Sequence, residues 1–431
     1  MEESNKGSKS SDKKSLKGLL LRLGPGVITG ASDDDPSAIA TFSQSGAQFG
    51  LGLLWTVIFT YPLKSATQEI SARIGRVTGR GLAGNMHRYY PPWIGITVIL
   101  LMIIANIINI GADIAAMGSA LNLLIGGPVL LYSVLFAFLS LILQVFIPYT
   151  RYVRILKWLS LALFSYIATA FIIDLSWTEA LKSAVTPELI FRSNYLTAVV
   201  AVLGATISPY LFFWQASQET EEVNTTPEDQ PLKKAPEQAP DQISRIKIDT
   251  YIGMAFSNII IFFILLTTAF TLHMEGINEI GSAAQAAEAL RPLAGRFAFL
   301  LFSTGIIGTG MLAIPILAGS SAYAVGELFR WPVGLEQKPK HAINFYTILA
   351  LSTLLGLTLN FTPVNPIQAL FWAATINGVI AAPVMIMMML MSSDRRIMGR
   401  FKIPFTLKLI GWISVAVMSA AVAALIYTWI V

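Results

Sequence analysis

Apolar stretches of about twenty residues recur from one end of the chain to the other, separated by short polar segments. A helix needs roughly 20 apolar residues to cross the hydrocarbon core of a bilayer. Eleven stretches meet or approach that length: residues 22–46, 50–73, 93–122, 128–148, 153–174, 195–219, 247–272, 293–323, 342–360, 366–391 and 407–430. The pattern predicts an all-α membrane protein of eleven transmembrane helices, with residues 22–430 forming one transmembrane domain. Residues 1–17 are polar and Lys-rich, and the apolar stretch that follows is broken by Asp33, Asp34 and Asp35. A cleaved signal peptide needs an unbroken apolar core, so residues 1–21 are expected to be a retained cytoplasmic tail.

Two spans are interrupted. The first carries Asp33-Asp34-Asp35-Pro36-Ser37 at its middle, and the sixth carries Ser208-Pro209. Proline removes a backbone hydrogen bond and disfavours helix at the residue before it. Carboxylates within a span cost roughly 2.5–3.5 kcal/mol each on insertion scales. Freed carbonyls survive at that depth only against protein or a water-filled cavity. The competing readings are a loop between two short segments at 33–37, and an ordinary proline kink at 209. Neither flank of 33–37 reaches spanning length alone. The two breaks also echo each other, with Gly30-Ala31-Ser32 before Pro36 and Gly204-Ala205-Thr206 before Pro209. One break opens the first five spans and the other opens the next five. Interrupted helices at matching positions of two halves point to a transporter site built from inverted repeats. The expected repeats are 22–174 and 195–391, with 407–430 as an extra helix.

The chain is 54% hydrophobic and 13% charged, against about 25% charged in soluble domains. Its net charge of +5 raises nucleic acid as a partner, but the placement of the charges argues otherwise. With the N-terminus inside, the inside segments carry six, four, three, four, three and five Lys/Arg, or 25 of the 30. The outside segments carry Lys182, Arg192, Arg291 and Arg296. The positive-inside rule predicts this asymmetry, which places the C-terminus outside and leaves little charge over for nucleic acid. Cysteine is absent, which excludes disulfides, thiolate metal sites and Cys nucleophiles. His87, His273 and His341 all fall at or near span ends, which argues against a His-rich metal centre. No enzyme chemistry is visible, and no resident cofactor is expected.

The loop at 221–243 holds Pro227, Pro231, Pro236 and Pro240 among polar and acidic residues and reads as a flexible cytoplasmic linker. Residues 275–291 read as a short external amphipathic helix. Trp93, Trp177, Trp331 and Trp429 lie near span ends as interfacial anchors. The methionines at 385, 387, 388, 389 and 391 read as packing residues rather than a soft-metal path.

These segments resemble the Nramp family of divalent-metal transporters. The family's first-helix motif, Asp-Pro-Gly-Asn, corresponds to Asp35-Pro36-Ser37-Ala38, and its sixth-helix motif, Ala-x-x-Met-Pro-His, to Ala205-Thr206-Ile207-Ser208-Pro209-Tyr210. The run from Ser71 to Arg80 and the run Ala120-Leu121-Asn122-Leu123-Leu124 are similar to family sequence as well. The resemblance implies a LeuT-like inverted repeat of five plus five helices, broken in the first and sixth. It also implies metal ligation by Asp35 and by backbone carbonyls at Ser32 and Ala205, and a proton-handling role for Asp113. Three departures alter the chemistry: Ala38 replaces an Asn ligand, Ser208 a Met ligand, and Tyr210 a His linked to proton handling. The same losses suggest a divergent branch, similar to the Nramp-related magnesium transporters.

The ligands left are hard. Asp35 offers a carboxylate, Ser208 a hydroxyl, Asn377 in the tenth span an amide oxygen, and Ser32 and Ala205 their carbonyls. Oxygen suits Mg²⁺, Ca²⁺ or Mn²⁺, whereas thioether suits softer metals. Mg²⁺ gives up water reluctantly and needs few protein ligands. The expectation is a carrier of Mg²⁺ or Mn²⁺ with weak or no proton coupling, acting as a monomer in the cell membrane. The competing reading of Ala38 and Ser208 is a site that has lost metal binding. Asp33 and Asp34 either draw cations into a vestibule or serve as paired or protonated structural groups. Asp113, with Asn106 and Asn109 on its face, lines a polar path or makes a structural hydrogen bond. Glu219, Glu221 and Glu222 form either a solvated acidic helix end or a cation gate. Lys64 is expected to snorkel or to pair with Glu69. Other function classes remain as alternatives: a proton-coupled transition-metal transporter, an organic-solute carrier on the same architecture, and a non-transporting receptor or scaffold. The last would want a soluble domain.

Overall fold

The computed structural model describes residues 29–30, 32–147 and 159–430. The expected tail at 1–21, the start of the first span, Ala31 and the start of the fifth span lie outside the described residues, as does the side chain of Trp429. Twelve helices carry the architecture: α1 Pro36–Phe49, α2 Leu54–Thr78, α3 Pro92–Ile125, α4 Val129–Phe146, α5 Phe164–Ile172, α6 Ser193–Thr206, α7 Pro209–Thr225, α8 Ala239–Thr268, α9 Ala298–Phe329, α10 Ile343–Thr358, α11 Pro366–Ser393 and α12 Phe405–Ile430. Short helices such as Leu82–Tyr89, Trp177–Val185 and Ala283–Glu288 join them, and no strand occurs among the described residues.

Eight helices among the described residues are long and apolar enough to cross a membrane, or up to nine if Leu161–Ile172 and Trp177–Val185, bent by 119°, are one span. The expectation of eleven also counts the first two helices. The first begins outside the described residues. The second, α2, has 25 residues but carries Lys64, Glu69, Arg73 and Arg76. Three of these four, Lys64, Glu69 and Arg76, are buried within the protein, so α2 is a polar helix packed against its neighbours.

The two breaks are built alike. Asp35 and Ser208 are both extended, at φ −70°, ψ 170° and φ −77°, ψ 124°, and each is followed by proline at the first helical position. Proline's fixed φ suits that position, where its missing N–H costs nothing. At the first break the Asp35 side chain caps α1 by accepting from Ala38 N. At the second, α6 stops at Thr206 and the Ser208 hydroxyl turns back to donate to the Gly204 carbonyl at 2.9 Å. The N-termini of α1 and α7 and the C-terminus of α6 therefore meet in the interior, with their dipole ends and free backbone groups facing the breaks.

Glycines let the neighbouring helices come close at these points. A Cβ on Gly204 would stand 2.1 Å from the Ala374 carbonyl oxygen of α11, and one on Gly30 would stand 2.2 Å from the Gly253 carbonyl oxygen of α8. The most apolar stretch of α6–α7 is wholly buried, whereas only 22% of that of α4 and 28% of that of α12 are. The broken helices thus form the centre, and α4 and α12 present apolar side chains outward.

One end of the bundle gathers the basic residues. Leu232 N and Lys233 N donate to the Arg76 and Val77 carbonyls at the end of α2, and Arg76 pairs with Asp229 at 2.7 Å. Lys233 Nζ donates to the Arg396 carbonyl. The segment read as a flexible linker at 221–243 departs from that expectation: it is helical at both ends, in α7 and α8, and Leu232 in its middle is fully buried. Its prolines deter helix, but the carbonyls left free at the end of α2 take its N–H groups as a cap.

Candidate metal site at the helix breaks

Asp35 is 2% exposed. Its Oδ1 accepts from Ser37 Oγ at 2.7 Å and from Ala38 N at 2.7 Å. Its Oδ2 accepts from Asn109 Nδ2 at 3.0 Å and from the Tyr210 hydroxyl at 3.3 Å. One carboxylate therefore ties together the first break, α3 and the first turn of α7. Thr29 Oγ1, just before the first break, donates to Gln215 Oε1 of α7 at 2.5 Å, so the two broken helices are joined again on the basic side.

Around this carboxylate the structure leaves acceptor atoms without donors. Asn109 Oδ1, both carboxyl oxygens of Asp113, Asn106 Oδ1 and Asn377 Oδ1 are buried and take no hydrogen bond. Asp113 lies one helical turn beyond Asn109 on α3, and Asn377 adjoins Gly378, whose backbone packs on Gly204. A buried acceptor left unsatisfied costs about 1–3 kcal/mol. Such a surplus of oxygens is the complement of a cation or of water, and the opposite of what an anion would need.

The other predicted residues divide. Asp33 and Asp34 turn away from Asp35: Lys64 Nζ stands 3.0 Å from Asp33 Oδ2 and 3.1 Å from Ser257 Oγ, and Ser257 Oγ stands 2.7 Å from Asp33 Oδ2 and 2.9 Å from Asp34 Oδ1. Lys64 thus pairs with Asp33, and Glu69 pairs with Arg73 at 2.5 Å, which corrects the expected Lys64–Glu69 pair. Lys64 and Glu69 are five apart and do not share a helix face, whereas Glu69 and Arg73 are four apart and do. No three His or acidic side chains converge on one point among the described residues. The groups that bond Asp35 are instead neutral donors: the Ser37 and Tyr210 hydroxyls, the Ala38 N–H and the Asn109 amide. Ser208 gives its proton to Gly204, with the Ala205 carbonyl oxygen 3.4 Å away, so its lone pairs stay available. Ser32 sits in the turn of the first break, its N–H directed to the Thr29 carbonyl.

Both exits are closed. On the basic side, Glu219 is fully buried and pairs with Arg245 at 2.5 Å, and Glu222 reaches the same guanidinium at 3.2 Å. The solvated-end reading of Glu219 is thereby corrected, because α8 starts at Ala239 and lays Arg245 against α7. Glu221 accepts from the Tyr323 hydroxyl of α9 and from Glu336 N. Glu327, unnoticed in the sequence, accepts from Ser217 Oγ and Gly84 N, both at 2.9 Å. At the opposite end, the Gln44 amide of α1 donates to the Asn278 carbonyl and accepts from Ile280 N at 2.9 Å. A recess of about 250 Å³ lies outside that clasp, lined by Gln44, Gln48, Glu279 and Gln368 among others.

The profile of the family described as "Natural resistance-associated macrophage protein-like" (Nramp) matches residues 26–428. The chain belongs to the Nramp family. A protein named divalent metal cation transporter MntH from Pectobacterium carotovorum is 27% identical over 353 residues, 79% of this chain and 81% of that one. A second of the same name, from Klebsiella pneumoniae, is 24% identical over 426 residues, 96% and 95% of the two chains. Among solved structures, the Eremococcus coleocola manganese transporter superposes with a TM-score of 0.71 at 16% identity, covering 96% of this chain and 87% of that one. The nucleobase-cation-symport-1 family transporter Mhp1 superposes at 0.59 with 14% identity, covering 94% and 93%. Likenesses at such identities establish the fold, and both neighbours are transporters by their descriptions. Within its family this chain is divergent at the two motifs, where Ala38, Ser208 and Tyr210 stand.

Proposed function

We propose that this Nramp-family chain is a divalent metal cation transporter that carries a hard ion, Mg²⁺ first and Mn²⁺ second, with weak or no proton coupling. The observation that carries the reading is the surplus of buried, donor-free oxygens around one carboxylate at the junction of the two broken helices. The relatives named for divalent metal and manganese support the cation class. The ranking among ions rests on the donor set. Asp35 brings one negative charge, while Asn109, Asn377, Ser208 and the Ala205 carbonyl bring neutral oxygens, and neither motif run, Asp35–Ala38 or Ala205–Tyr210, contains a sulfur-bearing residue. Few ligands and retained water suit Mg²⁺, and transition ions bind oxygen sites at least as tightly. Mg²⁺ would then win by abundance and retained hydration rather than by exclusion of Mn²⁺.

Transport follows by alternating access around this fixed site. The Glu219–Arg245 pair and the Glu221–Tyr323 contact would part on the basic side, and the Gln44 clasp on the other. The charge distribution supports eleven spans in the plasma membrane with the basic end cytoplasmic and the C-terminus outside. The monomer is the proposed working unit. Tyr210 in place of an imidazole removes a group that titrates near neutrality, and Asp113, buried on α3, remains as a carboxyl to carry a proton. An organic-solute carrier is the weaker reading: the carboxylate and the donor-free oxygens at the breaks disfavour a substrate carboxylate.

Competition decides between these ions. Uptake of Mg²⁺ into liposomes is measured against Mn²⁺, Ca²⁺, Zn²⁺ and Cd²⁺. The proposal expects Mn²⁺ to compete well and Cd²⁺ poorly. A wild type that ignores Mg²⁺ refutes the hard-ion reading.

A further inference from the structure

The Lys64 ammonium is held as a bound ion is held. It is 1% exposed, midway along α2, with Asp33 Oδ2 at 3.0 Å and Ser257 Oγ at 3.1 Å. Ser257 links this oxygen pair to Asp34 Oδ1 at 2.9 Å. These oxygens come from two different elements, the break before α1 and the middle of α8, and the amine reaches them from a third. Asp33 Oδ1 is buried and takes no hydrogen bond, so the cluster keeps acceptor capacity after the ammonium is seated. A serine hydroxyl has one proton and cannot donate to Asp33 and Asp34 together. The cluster is therefore short of donors and long in negative charge, and a positive charge at its centre is what holds it together.

A purely structural ion pair would need only Asp33. Here the ammonium also meets the Ser257 hydroxyl, and that hydroxyl ties a second carboxylate, Asp34, into the cluster. We propose that Asp33, Asp34 and Ser257 form a monovalent-cation subsite that the tethered Lys64 ammonium fills, so that the chain carries its own counter-cation and works without free sodium or potassium. The ligand class is a small monovalent cation: sodium, potassium, ammonium or a short alkylammonium. The transport consequence rests on the divalent-transporter reading, but the binding claim does not.

The test removes the tethered amine and offers free ones. Lys64→Ala deletes Cγ to Nζ, the skeleton of n-propylammonium. The full-length variant is melted in choline chloride and in sodium, potassium, ammonium, methylammonium and n-propylammonium chlorides at equal ionic strength. The variant should melt low in choline and rise saturably, by several degrees, with at least one small cation, while wild type stays flat. In liposomes, divalent uptake by the variant should fall by about 100-fold or more in choline and recover with the cation that stabilises it. The charge-balanced double variant Lys64→Ala with Asp33→Asn should fold and ignore all five cations.

A single variant equally stable in choline and in every cation overturns the proposal. So does a single variant that cannot be purified in any of the cations, whether or not the double variant can, because a free ion then fails to replace the tethered one. Failure of wild type to move divalent ions would sink the transporter reading and leave the melting result to decide this one.

Discussion

Asp35→Asn separates binding from folding. The native carboxylate caps α1 and accepts four hydrogen bonds, from Ser37, Ala38, Asn109 and Tyr210. Asparagine caps helices about as well as aspartate, and its carbonyl oxygen can keep the bonds to Ala38 N and Ser37 Oγ. The new amide nitrogen would face Asn109 Nδ2, donor against donor. Asn109 can answer by turning its amide over, because its Oδ1 has no partner to lose. The cost to folding should stay within about 1 kcal/mol. Binding is another matter. Removing one partner of a buried charge pair costs about 3–5 kcal/mol, and at 1.4 kcal/mol per decade the dissociation constant should rise by about 10²–10⁴-fold. Calorimetric titration of the purified variant with Mn²⁺, beside a thermal melt, reads both numbers. A variant that melts like wild type and binds Mn²⁺ within about threefold of it would refute Asp35 as the principal ligand.

Ser208→Met should move the ranking toward Cd²⁺ and Mn²⁺ and weaken Mg²⁺ uptake, because thioether favours softer ions; an unchanged ranking in the competition assay removes Ser208 from selectivity. Tyr210→Phe deletes only a long 3.3 Å bond to Asp35 and should change uptake by less than about fivefold, measured in liposomes; strict co-movement of protons with the ion in wild type would contradict weak coupling. Glu219→Gln leaves Arg245 with the more distant Glu222 and with Gln242 and should loosen the basic-side closure by about 1–3 kcal/mol. Because the chain has no cysteine, Ser71→Cys gives a single label site, and its modification rate should rise about tenfold or more in that background; an unchanged rate means the pair is not a gate. Single cysteines at Glu279 and Lys234 test the topology: an impermeant maleimide should reach the first from outside intact cells and the second only after lysis.

The spans were legible because lipid imposes a length of apolar sequence that no loop imitates. The breaks were legible because Pro36 and Pro209 sit where helix should continue, and Asp35 stood out because a carboxylate is costly at that depth. What escaped was pairing across distance. Lys64 and Asp33 are 31 residues apart, and nothing local distinguishes Ser257 from the many span serines and threonines that bond to their own helix. Glu219 and its neighbours looked like a solvated helix end, and only the approach of α8 shows Arg245 against them. Pro227 and Pro231 spoke correctly against helix, whereas Pro236 and Pro240 lie in the turns that open α8, and all four spoke wrongly for freedom, since the carbonyls of Arg76 and Val77 needed the donors that this segment supplies. Asn109 was flagged as lining; its bond to Asp35 required knowing how α3 is rotated.

The most direct test of the account is uptake by the purified wild-type chain in sealed liposomes, with Mn²⁺ and Mg²⁺ outside and a pH-sensitive dye inside. The account predicts saturable entry of both ions, without acidification of the lumen, and loss of both in Asp35→Asn protein reconstituted to the same density. Absence of divalent entry in wild type, or entry undiminished in Asp35→Asn, would contradict it.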